Sequence, residues 1–203
     1  MEKRSESTVR RQDRAVTARR LREQAARLFW EKGYAATTTR EIADSLGVQR
    51  ASLYYHIESK EGLLYDLCVE SLGNIHDAVA QAIADKTDPL ERVRAMIRAH
   101  VVSMLEDKEK HATMLTELKA LSSSRRVEII RLRDGYEGLV KDILSEAQDS
   151  GVLQKGLSAK ELELALLNLL NWTIFWYNPN GELSPENLAE LFEKIYLGGV
   201  AKG

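Results

Sequence analysis

The sequence predicts an all-α protein of about nine helices, and three of its features support that fold class. Apolar residues recur mainly at helical spacing along the 203-residue chain. Only three prolines, which break helix interiors, are present. No stretch of alternating β-branched or aromatic residues is bounded by hairpin turns, as strands would require. Since 44% of the residues are hydrophobic and 30% are charged, the composition is that of an ordinary globular protein.

Three short helices are predicted close to the N-terminus. Apolar residues at helical spacing over 21–29 indicate the first. The second begins at Thr38, because Thr38 and Glu41 have the spacing of a capping box, in which two side chains bond the free amides at a helix start. A turn at Gly47 leads into the third helix, over residues 50–56.

Capping signals mark the starts of several later helices. Ser59 can cap a fourth helix, and Asp88 and Ser184 are each followed by a proline at the first helical position. Ser158 is followed by a capping glutamate. The breaks between later helices are predicted near residues 110, 122–124, 151–156 and 178–181.

Charge is distributed unevenly along the chain, whose formal net charge is −2. Residues 1–60 contain thirteen Lys and Arg against eight Asp and Glu, a net charge of +5, whereas the rest contains 16 against 23, a net charge of −7. An acidic body with a basic end is typical of a nucleic-acid-binding module joined to a globular domain. Residues 1–15 are predicted to be a disordered basic arm, which either contacts DNA or is a solvated tail.

The sequence argues against membrane and secretory roles. No apolar run reaches the roughly 18 residues of a membrane span, and the N-terminus lacks the apolar segment of a signal peptide. We therefore expect a cytoplasmic protein. The single cysteine, Cys68, excludes an internal disulfide and a cysteine zinc cluster, and we expect it to lie in the core.

No enzymatic motif is present. The four histidines are scattered without metal-ligand spacing, and there is no nucleophile elbow, phosphate-binding glycine loop or dinucleotide fingerprint. No catalytic residue, metal site or cofactor is therefore predicted.

Residues 38–56 have the pattern of a helix-turn-helix, with apolar side chains spaced to lock two helices together. In such a motif the second helix lies in the major groove of DNA. Its outer side chains, Arg50, Ser52 and residues 54–56, include no acid and can donate hydrogen bonds or pack on sugars and bases. The sequence therefore predicts a DNA-binding surface on this helix.

Residues 37–64, TTTREIADSLGVQRASLYYHIESKEGLL, resemble the signature of the TetR family of repressors. The resemblance implies a DNA-binding domain over residues 1–60 and a ligand-binding and dimerisation domain over residues 61–203. A fourth helix would connect the two domains. It also implies a homodimer that binds a palindromic double-stranded operator.

The resemblance also assigns roles by position. Thr39 and Arg40 are expected to hold phosphate or an edge base, Arg50 and Ser52 to read bases, and Lys60 to anchor the DNA backbone. The two tyrosines of the motif are expected at sugar and phosphate, or alternatively half buried against the first helix. The predicted DNA-binding residues are Thr39, Arg40, Arg50, Ala51, Ser52, Tyr54, Tyr55, His56 and Lys60.

Residues 171–185, and Trp176–Leu183 most closely, resemble a TetR branch that often controls the degradation of fatty acids, sterols or other acyl-CoA compounds. The resemblance implies an acyl-CoA thioester as effector. Four arginines, at 125, 126, 131 and 133, are candidates to pair with the CoA phosphates. The alternative is that they form a solvated helix face.

The C-terminal part is predicted to provide both a dimer interface and a ligand pocket. Two long apolar helices, roughly 158–177 and 185–199, suit a four-helix interface between two copies. The predicted interface residues are Leu162, Leu166, Leu169, Phe175, Phe192 and Tyr196. Soft apolar groups with a few polar tips are typical of a site for an elongated apolar ligand, although core packing is the alternative for each. The predicted ligand-binding residues are Met96, His100, Met104, Met114, Leu118, Leu121, Tyr136, Leu139, Ile143 and Trp172.

The function predicted from the sequence is that of a ligand-responsive, DNA-binding transcriptional repressor. Two alternatives stay open: a multidrug-responsive repressor of an efflux gene, and a helical protein-interaction module without DNA binding. The sequence leaves open whether the effector releases or promotes DNA binding.

Overall fold

The computed structural model describes residues 18–200, which form nine α-helices and two short 3-10 helices. This confirms the predicted all-α fold of about nine helices. The predicted basic arm, residues 1–15, lies outside the described residues. None of the helices within residues 18–200 is long and apolar enough to cross a membrane.

The α-helices are α1 (residues 18–32), α2 (Thr39–Ser45), α3 (Arg50–Leu53), α4 (Lys60–Ile83), α5 (Pro89–Glu106), α6 (Lys108–Glu117), α7 (Ser123–Asp149), α8 (Ala159–Asn171) and α9 (Pro185–Val200). The 3-10 helices are Leu118–Ala120 and Trp172–Phe175.

Helices α1–α3 and the first half of α4 share one apolar core. Phe29 of α1, Ile42 of α2 and Leu53 of α3 are buried at its centre. Cys68 of α4 is also buried here, and burial raises the pKa of its thiol to about 12. The same core receives Ile129 from α7, so the N-terminal helices pack directly against the C-terminal body.

A second apolar core lies among α4, α5, α7, α8 and α9. Helix α5 runs through it, packed against α4 on one side and α9 on the other. Val93 and Ile97 of α5 and Leu188 of α9 are completely buried there. Burial of these apolar faces is the main force that assembles the C-terminal helices.

Helix α4 belongs to both cores. Its 24 residues extend for about 36 Å. Leu67 contributes to the first core and Val79 to the second. The domain boundary predicted after residue 60 falls at the first residue of this helix, so one continuous helix connects the N-terminal helices to the body.

Candidate DNA-binding surface and ligand cavity

The predicted capping box fixes the start of α2. The amide of Glu41 donates to the Thr38 hydroxyl (3.2 Å), and the amide of Thr38 donates to the Glu41 carboxylate (2.8 Å). Lys32 of α1 donates to the same carboxylate (2.9 Å). The hydrogen bond from Lys32, followed by those from Thr38, lowers the pKa of Glu41 to about 2. The orientation of α2 against α1 is therefore set by side chains as well as by the core.

A tight turn joins α2 to α3, as a helix-turn-helix requires. Gly47 has a φ of +68°, the left-handed conformation that favours glycine. Ile42 and Leu53 are both completely buried and lock the two helices together. Helix α3 ends at Leu53, earlier than predicted, and residues 54–56 continue as turns. The reason is that the amide of His56 donates to the Leu53 carbonyl (2.9 Å), three residues back rather than four.

The outer face of α3 and of the turn that follows it is open to solvent. Tyr55 has 88% of its surface exposed and Tyr54 has 46%, so the alternative of half burial applies to Tyr54 alone. Thr39, at the start of α2, is partly buried. The other predicted DNA-binding residues that are exposed are Arg40, Arg50, Ala51, Ser52 and His56.

A polar cluster at this surface connects α2 to α3. The Tyr54 hydroxyl lies 3.3 Å from the Thr39 hydroxyl and accepts a hydrogen bond from the Arg50 guanidinium, also at 3.3 Å. The hydrogen bonds with Thr39 and then Arg50 lower the pKa of Tyr54. The guanidinium of Arg50 therefore lies beside a phenol on the exposed face, where both groups can meet DNA.

The ammonium of Lys60 bonds to the protein itself. Its Nζ donates to the carbonyls of Tyr34 and Thr37, each at 2.6 Å, and lies 4.1 Å from the centre of the Tyr34 ring. Burial lowers the pKa of Lys60. These bonds occupy two of its three N–H groups and tie the loop between α1 and α2 to the start of α4. The contact of Lys60 with the DNA backbone stays a prediction.

A cavity of about 230 Å³ lies among α4, α5, α6, α7 and α8. Its polar residues include two histidines, His100 of α5 and His111 of α6. The apolar residues that line it are Leu72, Ile75, Met114, Leu115, Leu164 and Leu167. An apolar chamber with a few polar groups is the usual form of a small-molecule site.

Five polar side chains form a continuous network at this cavity. The hydroxyl of Tyr136 lies 2.6 Å from Nδ1 of His100. Nε2 of His100 and Nε2 of His111 lie 3.3 and 3.2 Å from the same atom, Oδ1 of Asn171. The hydroxyl of Ser71 lies 3.1 Å from Nδ1 of His111. Burial lowers the pKa of His100 to about 3 and that of His111 to about 4, so both imidazoles are neutral at physiological pH.

The predicted ligand-binding residues only partly coincide with this cavity. Those that line it are His100, Met114 and Tyr136. Those that lie in or against the two cores instead are Met96, Met104, Leu118, Leu121, Leu139 and Ile143. Trp172 is 65% exposed and packs against Phe175 in a tilted arrangement, with ring centroids 4.6 Å apart. These seven assignments to the pocket stay predictions, since Met114 and Tyr136 show that a side chain can belong to a core and also line the cavity.

Sequence reasoning missed three members of the polar network: Ser71, His111 and Asn171. Each is a polar residue on a mainly apolar helical face. Asn171 also interrupts the apolar-rich stretch of residues 162–177. That interruption was the available signal, since a polar group on a buried face must find a partner.

Four of the six predicted dimer-interface residues belong to the protomer's own core. Leu162, Leu166, Phe192 and Tyr196 are buried between α8, α9 and their neighbours. The Tyr196 hydroxyl donates to the Leu162 carbonyl (2.9 Å). Their assignment to a dimer interface is corrected, because the apolar faces of α8 and α9 that carry them pack within one chain.

The other two predicted interface residues differ from these. Leu169 is partly buried against the second core. Phe175 is 48% exposed, and its ring centroid lies 5.8 Å from that of Trp30 in α1. Phe175 thus links the C-terminal segment to the N-terminal helices.

Two of the four arginines considered for phosphate binding form ion pairs within the chain. Arg125 lies 3.1 Å from Glu58, just before α4, and 3.7 Å from Glu61. Arg133 lies 3.3 Å from Glu137. Arg126 and Arg131 form no ion pair with another residue in the described part of the chain.

The N-terminal helices present an exposed helix-turn-helix surface, and one long helix joins them to an all-helical body with a partly open cavity. This combination defines a DNA-binding transcriptional regulator with a ligand domain. Family models match both parts. Residues 21–67 match "Bacterial regulatory proteins, tetR family", and residues 86–200 match "Tetracyclin repressor-like, C-terminal domain". The chain belongs to the TetR family of transcriptional regulators.

Relatives cover almost the whole chain. The HTH-type transcriptional repressor KstR2 of Mycolicibacterium smegmatis is 29% identical over 183 residues, 88% of this chain and 87% of KstR2. The TetR family regulator PfmR from Thermus thermophilus has a TM-score of 0.82 at 34% identity, with 90% of this chain and 99% of PfmR covered. AibR, in a crystal structure with isovaleryl coenzyme A and operator DNA, has a TM-score of 0.78 at 26% identity, with 88% of this chain and 96% of AibR covered.

Proposed function

We propose that this protein is a transcriptional repressor that binds a palindromic operator as a homodimer and is released from it by an acyl-CoA thioester. The observation that carries this proposal is the pairing of an exposed Arg50–Tyr54 surface with a partly open, mainly apolar cavity in the same chain. Two relatives support it: KstR2 is a transcriptional repressor, and AibR has been crystallised with an acyl-CoA and operator DNA.

The DNA contacts are assigned to the exposed side of the helix-turn-helix. Arg50 is the candidate base reader, because its guanidinium is exposed and a bidentate fork suits guanine in the major groove. Ser52 and His56 are candidates for further contacts on the same face. Arg40 and Tyr55 suit phosphate or sugar, which position the protein without reading sequence.

The dimer is assigned to the apolar residues that the fold leaves exposed near the C-terminus. On α9, Leu191 and Ile195 are 40% and 54% exposed and lie one helical turn apart, opposite the buried face. Trp172 and Trp176 are exposed in the segment after α8. Large exposed apolar groups on neighbouring elements favour contact with a second copy, since isolated soluble chains rarely leave them uncovered.

The acyl group of the effector is assigned to the cavity. An engineered cavity of about 150 Å³ binds benzene, so about 230 Å³ admits an acyl group of roughly six to nine carbon atoms. A neighbouring cleft between α4 and α7 shares Leu72 with the cavity and is lined by Arg131. We assign the phosphate-bearing part of the effector to this cleft, because Arg131 has no acidic partner among residues 18–200 and guanidinium binds phosphate well.

The test is a binding assay with DNA from upstream of the protein's own gene. Fluorescence anisotropy measures affinity for this fragment with and without isovaleryl-CoA and octanoyl-CoA, using Arg50→Ala as the control for sequence-specific binding. We expect tight binding that either thioester weakens. Release by cationic drugs alone would favour efflux control, and failure to bind any palindromic fragment would favour an interaction module.

A further inference from the structure

Asn171, the last residue of α8, lies between two buried histidines that approach it from different helices. His100 of α5 and His111 of α6 both contact Oδ1 of its amide, at 3.3 and 3.2 Å. The two imidazole centroids are only 6.3 Å apart. The orientation of this one amide is therefore determined by two groups separated from it by 71 and 60 residues in sequence.

The proton positions in the network follow from its chemistry. A neutral imidazole has one N–H and one acceptor nitrogen. Oδ1 of Asn171 can only accept, so each imidazole carries its proton on Nε2, and each Nδ1 then accepts from the Tyr136 phenol or the Ser71 hydroxyl. Both Nε2–H groups then donate to Oδ1 of Asn171, which accepts two hydrogen bonds and is satisfied.

The amide nitrogen of Asn171 is left with two protons to donate. Nδ2 has no acceptor among residues 18–200, and Asn171 lines the cavity. Asn168, one turn earlier on α8, lines the same cavity, but its Nδ2 already donates to the Leu164 carbonyl (2.7 Å). The amide of Asn171 is therefore a preorganised donor in a mainly apolar chamber.

The charge of the cavity selects a neutral acceptor. Arg133 and Glu137 line it, but they pair with each other at 3.3 Å. The two histidines are neutral, so no free positive charge in the network would balance a buried carboxylate. A thioester carbonyl accepts hydrogen bonds, is uncharged and is attached to an apolar chain.

We propose that Nδ2 of Asn171 donates a hydrogen bond to the thioester carbonyl of the effector. Asn171 is then a specificity-determining residue, and His100 and His111 are positioning residues that hold its amide. The inference rests on the proposed function, since it assumes that an acyl-CoA thioester enters this cavity.

The test compares isovaleryl-CoA with its thioether analogue, S-(3-methylbutyl)-CoA, in which a methylene replaces the carbonyl. Isothermal titration calorimetry on the full chain gives both affinities for wild type, Asn171→Asp and Asn171→Leu. Asn171→Asp keeps an oxygen that accepts from the two histidines but removes the N–H donor. Asn171→Leu also removes the donor at similar side-chain volume, and it serves if the carboxylate of Asn171→Asp perturbs folding. Asn180→Asp, the same change at an exposed turn position that does not line the cavity, is the matched control.

We expect the wild type and Asn180→Asp to bind the thioester about tenfold more tightly than the thioether. In both Asn171 variants the preference should fall to about one. Equal wild-type affinity for the two compounds, or a preference that survives in both Asn171 variants, overturns the inference while the proposed function stands. If the wild type binds neither compound and neither releases DNA, the acyl-CoA effector is wrong and the inference falls with it.

Discussion

The side chains of Glu70 in α4 and Lys110 in α6 form an ion pair, with Nζ 2.8 Å from Oε1. The next residues along these two helices, Ser71 and His111, form the hydrogen bond at the cavity. Glu70 also pairs with Arg22 of α1 at 2.8 Å. Adjacent residues of the same two helices therefore contact the ligand cavity and the N-terminal helices, which offers a short physical route between them.

Lys110→Met is expected to weaken the coupling between the two sites. It removes the buried ammonium that holds Glu70 but keeps the apolar volume of the side chain. We expect the affinity of the free protein for isovaleryl-CoA to change less than twofold. The factor by which isovaleryl-CoA weakens operator binding should be at least threefold smaller than in the wild type. Operator binding by fluorescence anisotropy at saturating isovaleryl-CoA measures this change.

Lys119→Met is the control, because it also removes a positive charge but from an exposed residue nearby. It should leave coupling unchanged. Full release of DNA by ligand in Lys110→Met would show that the coupling takes another route, such as the contact between Trp30 and Phe175.

Arg50→Ala is expected to reduce discrimination between operator and random DNA by about 1 to 3 kcal/mol, because it removes the exposed base-reading guanidinium. Arg40→Ala, which removes an exposed guanidinium from α2, should weaken both DNAs alike and lower the salt dependence. Competition titrations at two salt concentrations separate these effects. Equal losses on both DNAs for both variants would refute this division of roles.

Lys60→Met is expected to lower the free energy of unfolding by about 1 to 3 kcal/mol, because the carbonyls of Tyr34 and Thr37 lose their donor. The slope of DNA affinity against salt should stay as in the wild type. If Lys60 instead anchored a phosphate, that slope would fall by about one. Urea denaturation and salt titrations of DNA binding provide the two measurements. Lys86→Met, at a partly exposed position where the ammonium pairs with Asp85, is the neutral control.

Ile195→Glu is expected to dissociate the proposed homodimer, since it introduces a charge into the exposed apolar face of α9. Sedimentation velocity should show a monomer with an unchanged helical circular dichroism spectrum, and operator affinity should fall because one monomer reads only one half-site. Leu132→Glu, at an exposed apolar position of α7, should stay dimeric. A dimeric Ile195→Glu variant would place the interface elsewhere.

The sequence predicted local features well and long-range features poorly. The capping boxes at Thr38 and Ser158 depend on side chains three residues apart, and both are present. The cavity depends on how five helices cross, which brings His100 beside Asn171. No local pattern encodes that geometry.

The apolar faces of α8 and α9 illustrate the same limit. Periodicity identifies Phe192 as apolar and helical, but it does not show whether the partner of that face is α5 or a second chain. In the structure α9 packs on α5, so the predicted interface residues are core and the exposed Leu191 and Ile195 are the ones left for a partner.

Acid is expected to destabilise the fold through His100 and His111. Their pKa values are about 3 and about 4 in the folded protein, below the value of about 6.5 in an unfolded chain. Between these values the unfolded state binds more protons, so the stabilisation is complete above pH 6.5 and is lost as the pH falls toward 4. From pH 7 to pH 5 we expect the pair to lower the free energy of unfolding by roughly 3 to 4 kcal/mol.

His111→Gln should remove about half of that pH dependence, because the amide of glutamine bonds its neighbours but does not titrate between pH 5 and 7. His76→Gln, at a partly exposed position of α4, should keep the wild-type dependence. Urea denaturation at the two pH values gives each free energy. The carboxylates contribute the same pH dependence in all three proteins. If the free energy of unfolding fell equally in wild type and His111→Gln, His111 would therefore not be held neutral in the folded state.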